Sequence, residues 1–221
     1  MSRACTAAAL RHARPAARAG FTLIEILVVI AIIGLLMGLV AVTVSRQGQA
    51  GRVTDCKARI DTLSLLVSSY ADRNGDYPPS RLAATGVTDG NGINDGIEAL
   101  VVVLKGKAWS GRRPEERWLG NTDADFSKGL HLADGSSALL EVIDPWDNPL
   151  VYIASADYGS EFNYRFVTET GNEDQTVRSA LDPLTGAPHQ FDSFQILSAG
   201  PDGVLGTEDD IANYEIDKGE H

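Results

Sequence analysis

Four acidic residues lie close together near the C-terminus, in a segment rich in glycine. They are Asp202, Glu208, Asp209 and Asp210, within the sequence SAGPDGVLGTEDDI of residues 198–211. Because no lysine or arginine occurs between Arg178 and Lys218, these carboxylates would repel one another in a tightly folded loop. Oxygen ligands of this kind suit a hard divalent cation such as calcium. The pattern therefore indicates either a loop that binds a divalent cation or an open acidic loop in contact with solvent.

A single carboxylate, Glu25, stands at the edge of an apolar run. Residues 26–44 carry no charge, and an acid beside such a run is costly unless it has a function or reaches the lipid headgroups. A glycine and a phenylalanine, Gly20 and Phe21, precede it, after a segment with four arginines and no acid. Contact with the headgroups would explain Glu25 but neither the Gly-Phe pair nor the basic segment. The pattern therefore favours a function for Glu25.

The residues typical of a catalytic centre are not found in a recognisable arrangement. The histidines lack metal-ligand or triad spacing, and the sequence has no nucleophile elbow and no P-loop. Residues 89–96 look like a calcium loop at first sight. They lack the acid at the twelfth position of an EF-hand, and helix capping by Asn94 or Asp95 explains them better. We therefore predict a protein that is not an enzyme.

Charge and cysteine content narrow the function further. The net charge is −11, although the first twenty residues carry four arginines and no acid. A body this acidic repels a phosphate backbone, so nucleic acid is not an expected partner. The two cysteines, Cys5 and Cys56, fall in different segments, so no disulfide is predicted. Cys56 has apolar helical spacing, which predicts a small buried side chain.

The elements that position these residues begin with one long helix. Residues 26–44 have about the length that crosses a bilayer core, and the basic residues before them place the N-terminus in the cytoplasm. A secretory signal would have a shorter apolar core followed by its cleavage site. Apolar residues then recur at intervals of three and four, which is the pattern of one helical face. They are Val53, Cys56, Ile60, Leu63, Leu66, Val67 and Tyr70.

The rest of the chain has a mixed pattern. Asn74-Gly75 ends the long helix, and residues 97–105 predict a short second helix. Strands are predicted where valine, isoleucine, tyrosine and phenylalanine are concentrated, at 150–155, 162–168 and 191–197. Residues 170–190 are polar and contain glycine and proline, so they predict a long loop.

The basic leader, Gly20, the sequence FTLIE of residues 21–25 and the unbroken apolar helix resemble the class III signal of type IV pilins and type II secretion pseudopilins. The resemblance implies an α+β pilin-like fold, with the long N-terminal helix packed on a small antiparallel sheet. It implies cleavage after Gly20 by a prepilin peptidase and methylation of Phe21. It also implies that Glu25 acts in assembly, where it neutralises the terminal amine of a neighbouring subunit. The implied parts are a leader at 1–20, a transmembrane helix at 21–45, an amphipathic continuation at 46–74 and a globular domain at 75–221.

Segments of the globular domain are similar to the major pseudopilin of type II secretion. They are GIEALV at 96–101 and DPWDNPLVY at 144–152, although Asp147 stands where that family usually has glycine. The C-terminal segment resembles the family's S-x-G-x-D-G…D-x-D calcium loop. That resemblance implies calcium as a cofactor, bound by the side chains of Asp202, Glu208 and Asp210 and by the carbonyls of Ala199 and Gly206. A shift in register would substitute Asp209 for Glu208.

The resemblance implies a structural subunit of a type II secretion-like apparatus. The subunit would polymerise at the bacterial inner membrane into a filament that promotes protein export. Its implied partners are other pseudopilins, the prepilin peptidase and an inner-membrane assembly platform. The chain would cross the membrane once, with a cytoplasmic N-terminus and a periplasmic C-terminal domain. The alternative is a minor pilin of a type IV pilus, in adhesion, motility or DNA uptake. The globular motifs argue against this alternative, and the acidity argues against DNA.

Overall fold

The computed structural model describes residues 22–130, 132 and 135–216, without the side chains of residues 38–47. The predicted cleavage and methylation positions, Gly20 and Phe21, lie outside the described residues. The chain divides into two compact units, Met1–Arg46 and Gln47–His221.

The first element is the long helix α1, Leu23–Asn74, which confirms the continuous helix expected from the sequence. It ends where Gly75 takes a left-handed conformation with φ 83° and its N–H donates to the Ala71 carbonyl at 2.8 Å, a common way for a helix to stop. Among the residues whose side chains are described, no helix is long and apolar enough to cross a membrane. The span predicted at 26–44 extends into residues 38–47, which lie outside the described side chains.

The second half of α1 is amphipathic, as its spacing predicts. The predicted face is buried or partly buried in the main hydrophobic core, with Val53 and Tyr70 at its margins. Cys56 is fully buried and forms no disulfide, which confirms its interpretation as a small core residue. Burial raises the pKa of its thiol to about 12.

The globular part adds one further α-helix and short antiparallel strands. Helix α2 is Asp95–Lys105. The strands are β1 Leu119–Gly120, β2 Glu141–Val142, β3 Val151–Ala154, β4 Phe162–Thr168, β5 Gly171–Val177, β6 Phe194–Ser198 and β7 Ile211–Ala212. They pair as β1-β2, as β3-β6-β7 and as β4-β5, all antiparallel. A long N-terminal helix on antiparallel sheets is the α+β pilin-like fold that the sequence predicts.

Helix α2 lies very close to the sheets. It contacts β2, β3 and β4. Ile97, Leu100, Val101 and Leu104 join the same core as the buried face of α1. A Cβ at Gly96 would lie 2.3 Å from both the Tyr152 carbonyl oxygen and the Tyr164 hydroxyl. Only glycine allows this approach, because those two atoms already occupy the space that a side chain would need.

Two of the sequence predictions need correction. The last predicted strand begins at Phe194 rather than at residue 191, since Phe191 is 73% exposed and lies in a turn. The long loop predicted at 170–190 is wrong over its first part, where β5 pairs with β4 along seven residues. The strand escapes prediction because its residues are mostly exposed and polar. A two-residue turn and an ion pair between Arg165 and Asp174, 2.6 Å apart, hold the hairpin instead.

Candidate functional site

The carboxylate of Glu25 closes the first turn of α1. Its Oε2 accepts hydrogen bonds from the backbone N–H and the hydroxyl of Thr22, both at 2.8 Å, and the Glu25 N–H donates to the Thr22 Oγ1 at 3.3 Å. This reciprocal arrangement is a capping box, in which a threonine and a glutamate three residues later satisfy each other's free N–H groups. Glu25 therefore caps its own helix in addition to any role between subunits.

The sequence DPWDNP of residues 144–149 forms the turn between β2 and β3. Asp144 Oδ1 accepts hydrogen bonds from the backbone N–H groups of Trp146 at 2.8 Å and Asn148 at 3.0 Å. Burial raises the pKa of Asp144 to about 6, against the effect of these bonds and of one from Ser198. The Trp146 ring packs against the core, and its Nε1 donates to Gln49 on α1 at 3.2 Å. The turn is thereby attached to both the core and α1.

The same turn supports the C-terminal loop. Asn148 Oδ1 accepts a hydrogen bond from the Val167 N–H at 2.7 Å, which joins the turn to β4. A Cβ at Gly203 would lie 2.3 Å from the Val167 carbonyl oxygen and 3.2 Å from Asn148 Nδ2. The loop after β6 therefore packs directly on the turn and on β4, and glycine is required at this contact.

The acidic loop is compact rather than open. Asp209 Oδ2 accepts a hydrogen bond from the Asp202 N–H at 3.2 Å, and Asp210 Oδ2 accepts one from the Gly206 N–H at 2.7 Å. Asp210 is buried, and its Oδ1 has no hydrogen-bond partner. Burial, together with the charges of Asp209 and Asp202, raises its pKa to about 6. The loop thus holds a carboxylate oxygen that a cation would satisfy.

The two candidate ligands left open by the sequence differ in position. Glu208 is exposed, whereas Asp209 is half-buried and bonded to the backbone of Asp202. Gly200 takes φ 65° where its backbone meets Asp209, with the carbonyl oxygen of Asp209 2.5 Å from the position of an added Cβ. The loop therefore brings Asp202, Asp209 and Asp210 together and leaves Glu208 at its surface.

Comparisons with known proteins show which proteins this chain is similar to. The family model described as "Prokaryotic N-terminal methylation motif" matches residues 15–41. The type II secretion system core protein G of Escherichia coli K12 is 28% identical over 201 residues, which is 90% of this chain and 92% of that protein. The protein of the same name from Pseudomonas aeruginosa PAO1 is 30% identical over 142 residues, or 64% of this chain and 78% of the relative.

The chain belongs to the core protein G family of type II secretion, the family of its major pseudopilin. The core protein G of Pectobacterium carotovorum is also similar, with 28% identity over 201 residues, 90% of this chain and 86% of that protein. No solved structure gives a significant match. All three relatives are named as parts of a secretion system, and none of these names describes a reaction. The pseudopilin interpretation is therefore supported over a minor pilin of a type IV pilus.

In this member of the core protein G family, the chemistry of the loop suits calcium. Carboxylates and backbone carbonyls are its usual ligands, and the unpartnered Oδ1 of Asp210 is consistent with a bound ion. Asp202, Asp210 and either Asp209 or Glu208 would hold the ion, with the carbonyls of Ala199 and Gly206.

A second acidic group escaped the sequence analysis. Within the described residues, carboxylate oxygens of Glu98, Asp123 and Glu141 all lie within 4.8 Å of one another. Residues 89–96, which the sequence analysis interpreted as a helix cap, lie next to these three acids. Asn94 occupies the N-cap position of α2, but its side chain makes no capping hydrogen bond and instead donates to Glu141 at 3.0 Å. The acids at alternate positions in NTDAD, residues 121–125, were a signal that could have drawn attention to this group.

Proposed function

We propose that the protein is a pseudopilin subunit that is anchored in the bacterial inner membrane and polymerises into the filament of a type II secretion apparatus. The observation that carries this proposal is the similarity to core protein G along 90% of the chain. The subunit crosses the membrane once, with its N-terminus in the cytoplasm and its C-terminal domain in the periplasm. Its partners are further copies of itself, other pseudopilins, the prepilin peptidase and an inner-membrane assembly platform.

Processing after Gly20 is the first step of this function. The methylation motif matched at residues 15–41 includes Gly20, Phe21 and Glu25, which supports a mature chain that begins at Phe21 with a methylated amine. Mass spectrometry of the N-terminal peptide from membranes tests this directly. A mature chain that begins at any other residue would contradict it, and so would an intact leader in cells with an active peptidase.

Assembly then depends on the charge of Glu25. A carboxylate in an apolar environment is stabilised by a cation, and the amine created at Phe21 supplies one on each subunit. Because Glu25 also closes a capping box with Thr22, removing it changes two things at once. Glutamine can also occupy this position of a capping box, so Glu25→Gln keeps the cap and removes only the charge.

The decisive experiment compares Glu25→Gln with Glu25→Ala in cells, by crosslinking of filaments and by membrane fractionation. We expect both variants to insert, because the helix loses a costly charge, and both to lose filaments to a similar extent. If Glu25→Gln assembles normally while Glu25→Ala does not, capping rather than charge is the role of Glu25. If both assemble normally, Glu25 has no part in assembly.

Calcium binding by the C-terminal loop belongs to the same proposal. The buried Asp210, its unpartnered oxygen and the neighbouring Asp202 and Asp209 support it. A cation would remove the repulsion among these carboxylates and hold the loop against the turn at Asn148. Calcium would thereby stabilise the folded subunit before assembly.

A further inference from the structure

Glu98 is a fully buried carboxylate without a hydrogen-bond donor. It lies in the first turn of α2, and its exposed fraction is 0%. No N–H or hydroxyl group of the described residues donates to Oε1 or Oε2, and the only side chain within hydrogen-bond reach is the carboxyl of Asp125. Removing a carboxylate from water without a hydrogen bond or a cation is strongly unfavourable. The side chain therefore requires either a positive charge or a proton that the protein atoms alone do not supply.

The acidic groups around Glu98 further increase the cost of burying its negative charge. Burial, together with the charges of Asp125, Asp123, Glu141 and Asp95, raises the pKa of Glu98 to about 10. The positive charge that acts on Asp95 is Arg81, whose Nε already donates to Asp157 at 2.8 Å. Arg165 acts in the same way on Asp123, but it already donates to Asp174. Five acidic side chains therefore lie around one small volume.

The loop residues hold the outer oxygens of this cluster and leave the inner ones without partners. Asn91 donates from Nδ2 to Asp123 Oδ2 at 3.0 Å and from its backbone N–H to Asp125 Oδ2 at 3.3 Å. The Oδ1 atoms of Asp123 and Asp125 are both buried and unpartnered. Glu141 differs, because Asn94 and Thr122 donate hydrogen bonds to both of its carboxylate oxygens. This is the arrangement that second-sphere donors give to metal-binding carboxylates.

We propose that Glu98, Asp123, Asp125 and Glu141 form a second divalent cation site, separate from the C-terminal loop, and that its ion is calcium. Calcium binds six to eight oxygens at about 2.3–2.6 Å, so ligands on opposite sides of the ion are up to about 5 Å apart. The carboxylate oxygens of Glu98, Asp123 and Glu141 lie close enough together to bind one such ion. Asp123 and Asp125 are half-buried, so an ion can enter from their side.

A proton shared among the carboxyl groups is the competing explanation. It would neutralise one charge and leave several others unbalanced, whereas a divalent ion balances two and accepts all the inner oxygens as ligands. The two explanations predict different effects of Glu98→Gln. Glutamine fills the same volume, removes the charge and supplies N–H donors to its neighbours, so it acts as a permanent substitute for the protonated acid.

The first test counts bound calcium on the metal-stripped full chain in detergent micelles, by isothermal titration. A variant with Asp202→Asn and Asp210→Asn has a disabled C-terminal loop and should bind one calcium ion. Adding Glu98→Gln to this variant should abolish that binding. Because the parent already lacks the loop site, the result does not depend on whether the loop binds calcium in the native chain. The site is refuted if the parent variant binds no calcium, or if Glu98→Gln leaves binding unchanged.

The second test uses thermal melting in excess calcium and in chelator. In chelator Glu98→Gln should melt at or above the native chain, because an unbalanced buried charge is removed. In calcium at a hundredfold excess over Kd the order should reverse, with the native chain gaining about 5–11 °C more than the variant. Glu169→Gln, at an exposed position, should change neither melt. Equal effects of Glu98→Gln in both conditions would identify Glu98 as a protonated structural acid and overturn the proposal.

Discussion

The carboxylate of Asp144 accepts a hydrogen bond from the hydroxyl of Ser198, with 2.6 Å between Oδ2 and Oγ. Both side chains are buried. The same hydroxyl accepts a hydrogen bond from the Gly200 N–H at 3.1 Å. Ser198 thus connects the turn after β2 to the first residues of the acidic loop, and the start of that loop is held in place by the core.

Ser198→Ala should therefore destabilise the fold noticeably. It removes a hydrogen bond to a buried carboxylate, which is worth about 1.5–3 kcal/mol. The free energy of unfolding, measured by urea denaturation of the full chain in detergent micelles, should fall by about that amount. Ser68→Ala, on the exposed side of α1, is the control and should stay within about 0.5 kcal/mol of the native value. Equal effects of the two substitutions would show that the Asp144–Ser198 hydrogen bond contributes little to the free energy of unfolding.

The turn position where the family usually has glycine provides a second prediction. Asp147 is exposed and takes φ 67°, a left-handed conformation that glycine adopts without strain. The free energy of unfolding of Asp147→Gly should not fall more than about 0.5 kcal/mol below that of the native chain, because relief of strain offsets the greater freedom of the unfolded chain. Asp147→Val should lose about 1–2 kcal/mol. Thermal melting of both variants checks this, and a valine variant as stable as the glycine variant would contradict it.

The close approach of α2 to the sheets predicts a large effect at Gly96. A methyl group there would overlap the Tyr152 carbonyl oxygen and the Tyr164 hydroxyl, so α2 would have to move. Gly96→Ala should lower the free energy of unfolding by about 1–3 kcal/mol. At Gly129 a Cβ would meet no heavy atom within 4 Å, so Gly129→Ala should have little effect in the same denaturation experiment. If Gly96→Ala were as mild as this control, the packing of α2 would be looser than described.

The acidic loop predicts which residue binds calcium there. Asp209 is turned towards Asp202, whereas Glu208 is exposed. In a Glu98→Gln background, which leaves the loop as the site under test, Asp209→Asn should weaken calcium binding by about tenfold or more, because ligand charge tunes calcium affinity. Glu208→Gln should change it much less. Isothermal titration of the two variants measures these affinities, and the opposite ranking would identify Glu208 as the calcium ligand.

The parts of the fold that depend on residues close together in the chain could be predicted from the sequence. The face of α1 from Val53 to Tyr70 follows a single helical repeat, so its burial was predictable. The strand β4 alternates buried and exposed residues and was predicted over its full length. Strand β5 could not be found this way, because it pairs along one edge while most of its side chains face solvent.

The candidate sites show the same limit. Asp202, Asp209 and Asp210 are neighbours in sequence, so their proximity could be expected. Glu98 and Glu141 lie on different elements, and β2, which carries Glu141, is only two residues long. Such a strand has no periodic pattern, so only the three-dimensional packing reveals that these acids meet.

The burial of Cys56 has a practical consequence for labelling. Thiol reagents attack the thiolate, and a pKa of about 12 keeps this thiol protonated in neutral solution. Cys5 precedes Gly20, so the proposed processing removes it. A Glu169→Cys substitution, at the exposed turn between β4 and β5, would then carry the only readily reactive thiol of the mature chain. A maleimide dye or gold particle attached there would mark each subunit of a polymer without a bulky protein tag.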